Sequence, residues 1–142
     1  MPDPLSIGTG ILAIIGSANA LASTIKKLYR VRYAQTAIAL LENEMTALRS
    51  YVESVNKLLG MSNGSQQNNA FQHLPIERYL ETARTKIDQV NSFLDQKLLN
   101  DTPQRKIKKS VWLKWETELN RLNQELRDAR MEIGTCLNFL NA

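Results

Sequence analysis

Apolar residues recur at spacings of three and four in four separate stretches of the chain, and no stretch alternates with a period of two. Such spacing puts the apolar side chains on one face of an α-helix, so each stretch predicts a helix with a single buried face. The sequence therefore predicts helices at about 4–28, 31–59, 75–99 and 103–141, and no β-sheet. In the first helix the expected buried positions are Ile7, Ile11, Ile14, Ala18, Leu21, Ile25 and Leu28.

Local signals at the helix ends agree with these boundaries. Asp3 and Thr102 each stand before a proline at the expected first helical position, and Pro75 is expected to open the third helix in the same way. The longest connection, about 60–74, is polar and glycine-containing. Four amphipathic helices with mostly short connections predict an all-α fold, an antiparallel up-down-up-down bundle forming one domain over residues 1–142.

Basic residues cluster in two of the three connections. An up-down-up-down bundle brings the connection between helices 1 and 2 to the same end as the connection between helices 3 and 4. We therefore expect one strongly basic end, and the net charge of +4 with a pI near 9.3 favours an anionic partner. The residues predicted to contact anionic lipid are Lys26, Lys27, Arg30, Arg32, Arg105, Lys106, Lys108 and Lys109.

The first helix differs from the other three because it carries no charged residue from Leu5 to Ile25. A helix of that length spans roughly 31 Å, close to the ~30 Å hydrocarbon core of a bilayer. Its serine, threonine and asparagine residues lower its hydrophobicity, which predicts conditional rather than permanent insertion. The alternative interpretation is that helix 1 is simply the most buried element, covered by the other three helices or by an adjoining domain.

The side chains that usually carry catalysis are scarce. His73 is the single histidine and falls in a predicted loop, while Cys136 falls on the apolar face of helix 4 and is expected to be a small buried hydrophobe. Trp112 and Trp115 are expected to anchor the core, with a membrane-interface position as the alternative. We therefore expect no enzymatic activity, no cofactor and no metal. The amino terminus lacks the pattern of a secretory signal, which predicts a cytoplasmic protein.

The opening residues Met1 to Ile7, followed by a Gly/Ala/Ile-rich helix and a basic connection into a long amphipathic helix, carry a resemblance to a known family. The chain resembles the N-terminal HeLo-like domain of fungal NLR-type (STAND) receptors, and Asp3-Pro4-Leu5-Ser6 is the most specific part of the match. That family is similar to the four-helix executioner domain of the mixed-lineage-kinase-like pseudokinase and to the coiled-coil domains of plant immune receptors.

The resemblance implies a programmed cell-death effector of innate immunity or heterokaryon incompatibility. Such a domain oligomerises when its receptor is triggered, moves from the cytoplasm to the plasma membrane and disrupts it through its N-terminal helix. The partners implied are anionic lipid, further copies of the chain and a downstream nucleotide-binding receptor domain. The residues expected to insert are Leu5, Ile7, Gly8, Ile11, Leu12, Ile14, Ile15, Gly16, Leu21 and Ile25.

Two other functions fit the same sequence. A helical adaptor or regulatory domain would recruit proteins through helix contacts and never enter a bilayer. Nucleic-acid binding by the basic end is less favoured, and it would weaken steeply with added salt.

Overall fold

The computed structural model describes residues 4–28, 35–61, 75–100 and 109–140, and almost every residue in these ranges is helical. No strand occurs within them, and the packing is that of a four-helix bundle, so the predicted fold class is confirmed. The elements are α1 (Pro4–Leu28), α2 (Gln35–Met61), α3 (Ile76–Phe93), a π-helical segment (Leu94–Asn100) and α4 (Lys109–Leu140).

The predicted boundaries hold closely wherever the chain is described. α1 begins at Pro4, the position at which a proline costs no helical hydrogen bond. Pro75 was expected to be the first residue of the third helix, but the helix begins one residue later, at Ile76. Pro75 itself has φ −79° and ψ 46°, and its carbonyl accepts a hydrogen bond from the Tyr79 amide at 3.1 Å. Asp3 and Thr102, the two predicted caps, lie outside the described residues.

α1 packs mainly against α3 and α2. Its course is parallel to α3, because Gly10 lies beside Leu80 while Thr24, four turns later, bonds to Asn91. It runs antiparallel to α2. The remaining helix, α4, packs against the same two partners and so lies diagonally opposite α1.

α2 and α4 are also parallel neighbours. Arg130 Nε donates to Glu44 at 2.6 Å, and further towards the carboxyl ends of both helices the ring of Tyr51 lies beside Gly134. The guanidinium of Arg130 stands 5.5 Å from the centre of the Tyr51 ring. Successive helices therefore alternate in direction, as predicted, while two of the four lateral packings join parallel helices.

The core consists of the apolar stripes that the spacing predicts. In α1 every described stripe residue is buried, and α3 buries its stripe from Ile76 to Val90, which Leu94 of the π-helical segment continues. Burying a large aliphatic side chain contributes about 1.5 to 3 kcal/mol, so these stripes are the main source of stability. Trp112 is 2% exposed and Trp115 packs partly buried against the same core, which confirms their predicted role.

Candidate membrane-interaction surface

The face of α1 that points away from the bundle is exposed and carries no charge up to Lys26. Leu12 is 70% exposed there, the highest value among the large apolar residues exposed in the described part of the chain. A Cβ built on Gly16 would meet nothing within 4 Å. We call this surface the outer face of α1, and its exposed members are Thr9, Leu12, Gly16, Asn19, Ala20 and Ser23.

The other helices do not enclose α1, which overturns the first form of the burial interpretation. Because α1 lies diagonally opposite α4, it is covered among the described residues by α2, α3 and the π-helical segment, and its outer side stays open. By length and composition, Gly8–Leu28 is long and apolar enough to cross a membrane, with 33% of that stretch buried inside the bundle.

The residues predicted to insert are divided between the two sides of α1. Leu12 and Gly16 are exposed, and Gly8 and Ile15 are half-buried. Buried against α2 and α3 are Ile11, Ile14, Leu21 and Ile25. The side chains of Leu5 and Ile7 lie outside the described residues. The apolar stripe that would contact lipid is thus the same surface that packs α1 against α2 and α3. It cannot do both at once, so insertion would require α1 to leave the bundle.

The contact between α1 and α2 contains a cleft. Ala18 and Ala22 face Met45, Thr46 and Arg49 across a space of about 160 Å³. The short alanine side chains do not reach far enough to fill it. Small residues on α1 therefore leave this side of the helix with fewer dispersion contacts than a close-packed interface provides.

The basic end is described only in part. Lys26 and Lys27 are exposed at the carboxyl end of α1, and the helix directions put the start of α4, at Lys109, at the same end of the bundle. Arg30, Arg32, Arg105, Lys106 and Lys108 lie outside the described residues, as does the side chain of Lys109. Contact between the two basic clusters stays a prediction.

Two further lysines at this end were not singled out from the sequence. Lys97 is exposed on the π-helical segment that touches α1, and Lys114 is exposed in the second turn of α4. Neither these two nor Lys26 and Lys27 form an ion pair with a described residue, and exposed positive charge of this kind attracts anions. In the sequence both look like ordinary outward charges, and only the helix directions bring them to this end.

Of the candidate reactive groups, Cys136, Trp112 and Trp115 lie in the described part of the chain. Cys136 is 2% exposed, and burial, with a smaller contribution from the charge of Glu132, raises the pKa of its thiol. The indole of Trp112 donates to Glu116 at 2.7 Å. His73 lies outside the described residues. Within the described ranges no three His, Cys, Asp or Glu side chains are grouped to hold a metal ion.

Comparison with known proteins adds no relative to this picture. No family model matches the sequence, and neither a curated protein nor a solved structure matches the chain.

Proposed function

We propose that the chain is a non-enzymatic cell-death effector domain of the HeLo-like type, which disrupts the plasma membrane with α1. The observation that carries this proposal is the uncharged, exposed outer face of α1 on a helix long enough to span a bilayer. A helix at the surface of a water-soluble bundle normally turns charged residues outward, as α2, α3 and α4 do here. The resemblance at Asp3-Pro4-Leu5-Ser6 supports the same function.

The first step would be attraction to anionic lipid. Lys26, Lys27, Lys97 and Lys114 bring four exposed positive charges to one end of the bundle. Each basic residue near an anionic surface contributes about 1 kcal/mol of attraction, and the effect falls off within a Debye length. This end therefore selects anionic membranes and concentrates the protein on them.

The second step would be release of α1 and its insertion by several subunits. Ile11, Ile14, Leu21 and Ile25 leave α2 and α3 and find an equally apolar environment in lipid. The groove that remains between α2 and α3 is apolar, which makes release unfavourable for a single subunit in water. Oligomerisation, under the control of a downstream nucleotide-binding receptor domain, supplies the free energy that balances this cost.

A dye-release experiment tests the proposal. Vesicles containing phosphatidylserine should leak when the protein is added at a concentration at which pure phosphatidylcholine vesicles stay intact. Protein covalently trapped by a disulfide introduced between α1 and α3 provides the control, and reduction should restore its activity. Intact anionic vesicles in the presence of the oligomerised domain would refute the proposal.

The alternative is an adaptor that acts through protein contacts. It is supported by large apolar side chains exposed on α2 and α4, away from α1: Leu40, Leu113, Met131 and Phe139 are each more than half exposed. An adaptor would need these residues and not the outer face of α1. Changing Leu40 and Met131 to serine should abolish signalling in cells if the adaptor function is correct, and should leave vesicle leakage unchanged if the membrane function is correct.

A further inference from the structure

Thr24 is the single buried polar residue in the described part of the chain. Its side chain is in the interface of α1 with α3, where the residue is 8% exposed. The hydroxyl Oγ1 lies 2.6 Å from Asn91 Oδ1 and 3.2 Å from the carbonyl of Ala20. A hydroxyl has one proton to donate, and the shorter distance assigns it to Asn91. A directional bond thus ties α1 to α3.

The carbonyl of Ala20 offers the Thr24 hydroxyl a second acceptor, which can replace Asn91. When α1 leaves α3, the Thr24 hydroxyl loses Asn91 but can turn its proton to Ala20, an acceptor in its own helix, as threonines in membrane helices commonly do. Asn91 is half-buried and regains water on release. Neither group is left without a hydrogen-bond partner. The free-energy cost of opening is therefore that of one modest hydrogen bond, and no buried polar group is left unpaired.

A second bond ties the same half of α1 to the other neighbour. Arg49 Nη2 donates to Asn19 Oδ1 at 3.0 Å on the exposed rim of the contact with α2. Solvent competes for that bond, whereas the pair in the contact with α3 is shielded. The buried pair is therefore the stronger determinant of where α1 rests.

We propose that Thr24 and Asn91 form an autoinhibitory latch, a hydrogen bond that holds α1 in the bundle and opens when α1 is released. This inference rests on the proposed membrane function for its biological meaning. Apolar contacts are non-directional, and a bilayer satisfies them as well as α2 and α3 do. The latch is a contact that the bundle provides and lipid does not, so it biases α1 towards the inactive position.

Asn91→Ala tests the latch without altering any residue of α1. Loss of one such bond should raise the released population about fivefold, the equivalent of about 1 kcal/mol. Amide hydrogen exchange of α1, read at Leu21, should accelerate by that factor, while exchange at Leu126 in α4 changes less. Ser92→Ala, at an exposed position of the same helix, is the matched control and should leave both rates unchanged.

Substitutions at Thr24 complete the test. Thr24→Val removes the hydroxyl at nearly constant shape and should accelerate α1 exchange like Asn91→Ala, and Thr24→Ser should restore the native rate. The double variant should match either single variant, because both remove one bond. Equal acceleration at Leu21 and Leu126, or none at Leu21, would overturn the latch.

Dye release separates failure of the latch from failure of the proposed function. Asn91→Ala should leak anionic vesicles about fivefold faster than the native protein. Faster α1 exchange without faster leakage would uphold the latch and refute membrane disruption by α1. Faster leakage with unchanged α1 exchange would refute the latch and leave membrane disruption standing.

Discussion

The ring of Tyr51 occupies the space in which a side chain at Gly134 would lie. An ideal Cβ built on Gly134 would stand 2.8 Å from Tyr51 Cε2, closer than real Cβ contacts allow. The absence of a side chain therefore lets an edge of the ring approach α4 closely, while the guanidinium of Arg130 lies over the ring. Glycine is a poor helix former, and here close packing between two parallel helices accounts for it.

Gly134→Ala should destabilise the bundle by about 1 kcal/mol. Overpacking typically costs 1 to 3 kcal/mol, and the helix propensity gained from alanine offsets up to about 1 kcal/mol. In a Tyr51→Leu background the ring atom is gone, and the same substitution should stabilise the protein instead. Urea denaturation of the four proteins gives both effects. An equal effect of Gly134→Ala in the two backgrounds would contradict this account of the glycine.

Gly16→Glu should abolish membrane disruption and leave the fold intact. No atom lies within 4 Å of the new Cβ, and glutamate improves helix propensity by about 0.5 kcal/mol, so the melting temperature should stay the same or rise slightly. A charged side chain at the centre of an inserted helix costs roughly 2.5 to 3.5 kcal/mol in each subunit. Dye release and calorimetry of the same preparation measure both properties.

Ser50→Glu is the control for that substitution, because it adds the same charge at an exposed position of α2. It should leave leakage unchanged. Retained leakage by a folded Gly16→Glu protein would mean that the outer face of α1 never meets the hydrocarbon core.

Replacing Lys26 and Lys27 by glutamine should weaken binding to anionic vesicles about 30-fold, since two charges contribute about 2 kcal/mol. Lys57 and Arg78 are exposed at the opposite end of the bundle, and their replacement by glutamine is the matched control. Co-sedimentation at low and high salt gives the affinities. A larger loss of binding affinity from the control pair would show that the protein docks by the opposite end of the bundle.

Extending the change to Lys108 and Lys109 tests the predicted meeting of the two basic clusters. If both clusters face the same membrane, each added glutamine should weaken binding by a further factor of about five. Unchanged binding would show that the second cluster does not take part.

Cys136 should make the stability of the bundle fall in alkaline solution. Its folded-state pKa is raised, so the folded protein holds the thiol proton more tightly than the unfolded chain does. The contribution to stability is complete below the unfolded pKa of about 8.5 and is lost as the pH rises through the folded pKa. Cys136→Ala should lack this decline. Urea midpoints at pH 7 and pH 10 provide the comparison, and identical pH dependence in the two proteins would refute it.

The buried faces of the helices could be predicted because helical periodicity is a local property. Ile11, Ile14 and Leu21 fall on one face whatever the helix packs against, and all three are buried. The order of the helices around the bundle could not be predicted in this way. It depends on contacts such as that of Thr24 with Asn91, which are 67 residues apart and involve polar side chains that resemble any surface pair.

The π-helical segment was missed for a related reason. Val90, Leu94 and Leu98 are spaced four apart, which fits the face of an ordinary α-helix as well as it fits a wider turn. The lack of charge on α1 could be read from the sequence, whereas the exposure of its outer face followed only from the diagonal position of α4.

The parallel course of α1 and α3 sets an order of events in time. The amino end of α1 lies at the pole opposite Lys26 and Lys27, about 34 Å from them along the helix axis. If the bundle docks by its basic pole, the carboxyl end of α1 lies nearest the lipid. The amino end, which would enter the bilayer first, is then the part of α1 farthest from it. Under the proposed function, α1 would have to turn over about its carboxyl end before its first residues reach the membrane. Arrival and permeabilisation should consequently be separated by a lag that contains the reversal of α1.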